Sequence, residues 1–384
     1  MRESRAIISL KNLAFNIHQI RNIISKSAKL CVAVKADAYG HGAVECAKTI
    51  LENGGEVLAI ATVDEGIELR NAGIECPLLL LSLCSPQEVE SAVKNKITPF
   101  VFDEEYISLF ETAASKLKQS EFEVYLAVDT GMGRIGCYEN EAGKLAEFIK
   151  SCHHLKLGGM STHLAVSDCA DKESENYTQL QIKKFKTAVK NVEALGIDSG
   201  VKTCANSAAG ILLKEANFNL VRVGIIAYGY YPGDFTKEYF EKNKIPFNLK
   251  PVMTLETSVS SIREIKKGMS IGYGRTWLAS EDTEIAVLPI GYADGLLRRY
   301  GECGLKIAIN GKEYPVRGRI CMDQCMVEIG KNSGIKRWSP AVIFGSAEFG
   351  AMQDADKIAR QSGTISYEVT SCITKRVPRI FVRS

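Results

Sequence analysis

The sequence contains no Cys-x-x-Cys pair, although it holds twelve cysteines in 384 residues. They are scattered, and Cys321 and Cys325 are the closest two. A disulfide framework needs paired spacings, so these read as reduced thiols that serve mostly as small core residues. The five histidines form no cluster near that pair, so no metal is expected. Charge of one sign is also lacking: the net charge is only +3. No Lys/Arg stripe alternates with aromatics, which argues against a nucleic-acid partner. The opening stretch "MRESRAIISLKNLAFNI" has no apolar core of the kind an export signal carries. The longest apolar runs, such as "CPLLLLSLC", are far too short to span a bilayer. The expectation is a cytoplasmic protein with no membrane partner. Finally, there is no low-complexity tract, no tandem repeat, and no G-x-G-x-x-G after the first strand candidate. That last absence weighs against an open dinucleotide-binding sheet.

What is present is a rhythm. Between residues 30 and 232, short apolar runs alternate with helical patterns. The strand candidates are 30–35, 56–62, 77–83, 97–102, 121–129, 155–163, 200–205 and 219–224, rich in Val, Ile, Leu and aromatics. Of the helix candidates, "NYTQLQIKKFKTAVKNVEAL" is the clearest, with Leu180, Ile182, Phe185, Val189, Val192 and Leu195 expected mainly on one broad face. "DEEYISLFETAASKL" places its acids where a helix dipole favours them. Eight β–α units is the number that closes a parallel barrel. After about residue 245 the texture changes to short strand runs broken by Gly, Pro and Asn–Gly, and "AINGKEY" predicts a hairpin turning at Asn310–Gly311. The fold class predicted is α/β: a (β/α)8 TIM-type barrel over 11–240, then a mostly β C-terminal domain.

In such a barrel the working residues stand at the C-terminal ends of the strands. Lys35 follows strand one, Arg134 strand five, His163 strand six, and Asn206 and Ser207 strand seven. Arg222 and the Gly224–Ile225 pair end strand eight. Ser207 opens a predicted helix, whose N-terminus suits a phosphate dianion. A lysine, a phosphate cradle and a nearby arginine together suit pyridoxal phosphate. That cofactor needs an amine, phosphate donors and a partner for its ring nitrogen. Burial beside other cations lowers a lysine pKa and so supplies the neutral amine. Singly, each residue has a plainer reading. Lysines after strands usually snorkel, a lone histidine usually has a local hydrogen bond, and Ser207 could be an ordinary N-cap. Their agreement at one end of one barrel is what carries weight.

The motif "AVKADAYGHG" (33–42) resembles the cofactor-lysine motif of alanine racemases. The resemblance covers nearly the whole chain. "DTGMGRIG" (129–136), "NSAA" (206–209), "VRVGIIAYG" (221–229), "IGYGRTW" (271–277), "GYADG" (291–295), "GRICMDQ" (318–324) and "YEV" (367–369) follow in the expected order. It implies a homodimeric isomerase that interconverts L- and D-alanine with pyridoxal phosphate and supplies D-alanine for peptidoglycan. Lys35 would bond the cofactor and act as one base, with Tyr273 of the other subunit as the second. Tyr39, Ser207, Gly224, Ile225 and Tyr367 would hold the phosphate, with Asn206 in the same cofactor-binding set. Arg222 would face the ring nitrogen, His163 the ring, and Arg134 the phenolic oxygen. Met322 and Asp323 would help hold the substrate carboxylate along with Arg134. Tyr292, Arg298, Arg319 and Asp168 match the channel leading in. Residues 1–10 would join 241–384 in the C-terminal domain, and 4–10 would supply its extra strand. His18, His41, His153 and His154 are expected at the surface or in a supporting layer.

One departure stands out. Many members of the family carry a lysine, which becomes carbamylated, two residues before the Asp of Asp–Thr–Gly. Here that position is Ala127, so Arg134 needs another support, and substrate choice could widen toward serine. The alternatives are a serine or broad-range racemase, a barrel-type amino-acid decarboxylase with the same cofactor, and a non-enzymatic cofactor carrier. Arg222 argues against the decarboxylase, and the β domain with Tyr273 argues against the carrier.

Overall fold

The computed structural model describes residues 3–383. Residues 1, 2 and 384, the outermost ends of the expected C-terminal unit, lie outside the described residues. The chain opens with strand β1 (Arg5–Ser9), and the barrel follows as eight parallel strands: β2 (Lys29–Ala33), β3 (Val57–Ile60), β4 (Leu78–Leu80), β5 (Ile97–Val101), β6 (Phe122–Ala127), β7 (Leu155–Ser161), β8 (Val201–Thr203) and β9 (Leu220–Val223). The hydrogen-bonded order runs β8-β7-β6-β5-β4-β3-β2-β9, with Cys31 opposite both Val57 and Arg222. The seam between β8 and β9 is bridged by Asn219 N–H to Lys202 O, Arg222 N–H to Ala205 O, and Thr203 Oγ1 to Leu220 O. The barrel is therefore nearly closed.

Several of the helix starts carry local chemistry that explains them. The side chains of Ser9, Thr62, Asp103, Asp171 and Asn206 accept from backbone amides at the first turns of the helices that follow them. Thr62 and Glu65 form a capping box. The strand residues are apolar because both faces are covered, by the barrel interior and by the helices; all four residues of β3 are buried. The long helix Lys172–Glu193 buries Ile182, Phe185, Val189 and Val192, but leaves Leu180 and Leu195 at 46% and 44% exposure. This corrects the expected face. Leu180 lies two residues from Ile182, about 200° around the helix, and Leu195 falls beyond the helix end.

The C-terminal part is mostly β. A six-stranded sheet takes the order 312–315, 306–309, 340–344, 253–258, β1, 379–382, and 261–265, 283–288 and 325–328 form a second sheet. β1 pairs antiparallel with 253–258 (Ile7 opposite Thr254) and parallel with 379–382 (Ile7 opposite Ile380). Asn310 and Gly311, at φ 51° and 75°, make the expected two-residue turn between Lys306–Ile309 and Lys312–Pro315. The helices Ala355–Ser362 and Ser366–Ser371 precede the last strand, and the second of them packs on the barrel just after Lys35. Among the described residues no helix is long and apolar enough to cross a membrane.

Candidate active site

A cavity of about 500 Å³ opens at the C-terminal ends of the barrel strands. Lys35, Tyr39, Arg134, His163, Asn206, Ser207, Arg222, Gly224 and Tyr367 all line it, as do Ala127 and Asp168. Ile225 is fully buried beside Gly224. The structure thus gathers the residues expected at the cofactor. Tyr273, Met322 and Asp323 are elsewhere. Tyr273 is 69% exposed and Met322 53% exposed, both in the C-terminal part.

Lys35 lies two residues past the end of β2 and begins an unusual turn. Ala36, Asp37, Ala38 and Tyr39 all have φ between 51° and 55°. That is left-handed helix built from four L-residues, at a cost of roughly 1–2 kcal/mol per residue. Glu65 accepts from Ala36 N–H at 2.7 Å while its other oxygen accepts from Ala61 N–H, so the capping carboxylate also holds the start of the turn. Among the described residues the Lys35 amine has no hydrogen-bond or ion-pair partner. Burial lowers its pKa first, Arg134 lowers it further, and Glu65 opposes both.

Arg222 is buried, and no carboxylate among the described residues bonds it. Its guanidinium donates to Thr203 Oγ1 at 2.7 Å, to Thr162 O at 2.8 Å and to His163 Nδ1 at 3.3 Å. Burial pulls its pKa down, yet a guanidinium stays protonated. The His163 imidazole is pushed down to about 3 by burial and by Arg222, Arg134 and Lys35, so it is neutral. Its Nδ1 must accept from Arg222, which leaves the proton on Nε2.

Ser207 Oγ accepts from Gly224 N–H at 2.9 Å, leaving the hydroxyl proton free for another acceptor. A Cβ on Gly224 would come within 2.6 Å of the Tyr39 hydroxyl oxygen, so only glycine allows the close approach seen there. Tyr39 packs on Tyr228 and Tyr367, and burial raises its phenol and that of Tyr367 well above the usual range. Both remain donors. Asn206 Oδ1 accepts from Ser167 Oγ and from Ala209 N–H, so its amide is a helix cap at the cavity wall.

Arg134 stands in the loop after β6 and has no hydrogen bond or ion pair among the described residues. The loop itself is fastened: Asp129 accepts from the amides of Gly131, Met132 and Gly133. Ala127, 4% exposed, gives the cavity wall a methyl group and no polar atom.

In the C-terminal part, two sequence motifs prove to be one structure. Tyr292 N–H donates to Cys321 O and Ala293 N–H to Met322 O, both at 3.0 Å. A Cβ on Gly291 would strike those same carbonyls at 2.3 and 2.4 Å. Asp323 accepts from Arg376 at 2.8 Å. Of the two places expected for His41, the structure gives the supporting layer: it is fully buried beneath the turn after Lys35. Sequence reasoning missed Arg379, which donates to Gly40 O at 2.9 Å. The Gly–His–Gly stretch carried a hint in its two glycines; nothing near residue 379 did.

At one end of the nearly closed barrel stand Lys35 and Arg134, with no hydrogen bond or ion pair among the described residues, and the hydroxyl–amide cradle of Ser207 and Gly224; a β domain is joined to that barrel. The models "Alanine racemase, N-terminal domain" and "Alanine racemase, C-terminal domain" match residues 8–232 and 252–381. An alanine racemase of Treponema denticola is 44% identical over 384 residues, covering 100% of this chain and 99% of its own. One from Clostridium novyi is 41% identical, covering 99% and 95%. The solved alanine racemase of Clostridium difficile 630 superposes with a TM-score of 0.91 at 36% identity, covering 100% of this chain and 97% of its own. This chain belongs to the alanine racemase family. The enzymes of that family depend on pyridoxal phosphate, and the cavity fits it: an unpaired lysine amine, a buried arginine, and a cradle at Ser207 and Gly224 that a Cβ would fill.

Proposed function

We propose that the chain interconverts L- and D-alanine in a homodimer, with Lys35 of one copy and Tyr273 of the other on opposite faces of the substrate. The observation that carries this reading is the split site. Every expected cofactor contact lies in or beside one cavity, while Tyr273 stands 69% exposed outside it. Met322 and Tyr292 lie close to each other and are also exposed, as are Met269 and Leu278. Exposed apolar side chains of this kind suit a surface that another protein covers, and a second copy would bring Tyr273 to the cavity.

Ser207, Gly224, Ile225, Tyr39, Asn206 and Tyr367 would hold the phosphate end, Arg222 would face the ring nitrogen, and His163 the ring. Bound pyridoxal phosphate supplies an electron sink that acidifies the substrate's Cα–H. Lys35, as the neutral amine that its surroundings favour, removes or returns a proton on one face. Tyr273 does so on the other. The His163 Nε2–H, oriented by Arg222, is the donor available to steady a phenolate there. Arg222 keeps its own protons, which limits the electron sink and keeps the proton returning to Cα. Arg134, Met322 and Asp323 would hold the carboxylate. Residues 11–240 act as the cofactor-holding unit, and 1–10 with 241–384 as the unit that reaches into the partner. The setting is the cytoplasm and the product serves wall precursors.

The experiment is exchange of the α-proton in deuterated water across single-enantiomer amino acids. Alanine exchanging far faster than serine supports the reading. Serine preference moves it to a serine racemase, and release of carbon dioxide to a decarboxylase.

A further inference from the structure

The left-handed turn after Lys35 is closed on its carbonyl side by two residues that the proposed chemistry does not use. His41 Nδ1–H donates to Ala38 O at 2.9 Å and to Tyr39 O at 3.0 Å. Arg379 Nε–H donates to Gly40 O at 2.9 Å. His41 is fully buried and stacks on Tyr228 with ring centroids 4.6 Å apart. Its Nε2 has no hydrogen-bond partner among the described residues. A polar ring placed in apolar surroundings with one nitrogen unpaired is unfavourable, so the work of the other nitrogen must offset it. Tyr228 donates in turn to Ala33 O at 2.8 Å, at the end of the strand that delivers Lys35. Arg379 spends its remaining donors on Thr374 O, Val377 O and Ile373 O, so it straps the last segment of the chain to the turn. The space is filled: a Cβ on Gly40 would meet Thr370 O at 2.3 Å, in the helix that carries Tyr367.

We propose that His41 and Arg379 are positioning residues for Lys35 and Tyr39, locking a backbone turn that L-residues would otherwise leave. Of Ala–Asp–Ala–Tyr only Asp visits positive φ with any frequency, and Asp37 also accepts from Ala43 N–H at 2.8 Å, so the other three positions need support from outside the turn. Without the two donors the turn relaxes, and Lys35 and Tyr39 no longer present amine and hydroxyl to the same cavity. The inference rests on the cofactor roles given to those two residues above.

The test uses the holoenzyme and its apo form, reading the dissociation constant of pyridoxal phosphate, kcat and KM for alanine, and the melting temperature. His41→Phe keeps the ring stacked on Tyr228 and removes the donor. It should weaken cofactor binding about tenfold, the scale of one lost buried hydrogen bond, and lower kcat more than it changes KM. His41→Asn, with an amide N–H near the position of Nδ1, should recover most of that loss. Arg379→Gln should act like His41→Phe and decides the matter alone if the latter does not fold. A drop in melting temperature with unchanged cofactor affinity in these variants overturns the proposal. So does His41→Asn binding as weakly as His41→Phe. Lys35→Ala tests the underlying reading separately: persistence of the visible absorbance of lysine-bound cofactor would reject that reading and not the clamp.

Discussion

Arg222 Nη2 lies 3.3 Å from His163 Nδ1, and since a guanidinium only donates, the imidazole must accept there. Arg222→Glu reverses this. A carboxylate would favour a protonated ring nitrogen on the cofactor and a stronger electron sink. Racemisation should fall by at least about 100-fold, while slow transfer of alanine's amino group to the bound pyridoxal phosphate rises, releasing one 2-oxo acid for each cofactor converted to pyridoxamine phosphate. Chiral chromatography and a 2-oxo acid assay measure both. A variant that makes no more 2-oxo acid than the parent counts against the role of Arg222.

The two bases belong to different copies in the proposed dimer, which gives a complementation test. Lys35→Ala and Tyr273→Phe homodimers should each be nearly inactive. Co-expressed, each mixed dimer carries one intact site and should show about half the parent activity. No recovery in the purified mixed dimer would remove the shared site.

Lys35 titrates under two opposing neighbours. Arg134 favours the neutral amine and Glu65 the ammonium. The rate at which the apo chain captures pyridoxal phosphate tracks the neutral amine, so it should rise with pH through the pKa of Lys35. Removing the cation (Arg134→Gln) should move that midpoint up. Removing the anion (Glu65→Gln) should move it down. Stopped-flow absorbance across pH gives the sign in each case.

Arg134 has no partner among the described residues, and the methyl of Ala127 offers none. Ala127→Asn would add one amide at the cavity wall. A better-held Arg134 should raise the alanine-over-serine ratio of kcat/KM about fivefold, worth roughly 1 kcal/mol. An unchanged ratio would mean that Ala127 does not set specificity.

His41 predicts acid sensitivity. Burial, partly offset by its two carbonyl bonds, moves its pKa down to about 4 from an ordinary 6.5. Between those values the unfolded chain takes up a proton that the native state refuses. The native advantage is therefore full above about pH 6.5 and shrinks as pH falls to about 4, by on the order of 3 kcal/mol. Urea melts between pH 7 and 4 should show this slope, and His41→Asn should flatten it.

Much of the barrel was legible in the sequence because its cues are short-range. Alternating apolar runs mark the strands, and the capping residues Thr62, Asp103 and Asn206 mark three of the helix starts within a few positions. Asn310–Gly311 announced its hairpin for the same reason. The expected strands run one to three residues past the observed C-terminal ends; after β2 the chain leaves the sheet before Lys35 for a turn that Glu65, His41 and Arg379 hold. The face of the helix 172–193 was read too broadly at Leu180, where an apolar residue sits in solvent.

By itself the sequence determined the order of elements, the position of each polar group at a strand end, and the motifs that mark the family. The tertiary structure alone decided the hand of the turn after Lys35, the pairing of Arg222 with His163, and the isolation of Arg134. The physical reason is distance along the chain. Local periodicity and capping act over a few residues, whereas the Arg379 bond that helps hold Gly40 joins positions 339 apart. Only a folded chain brings such a donor to such a carbonyl.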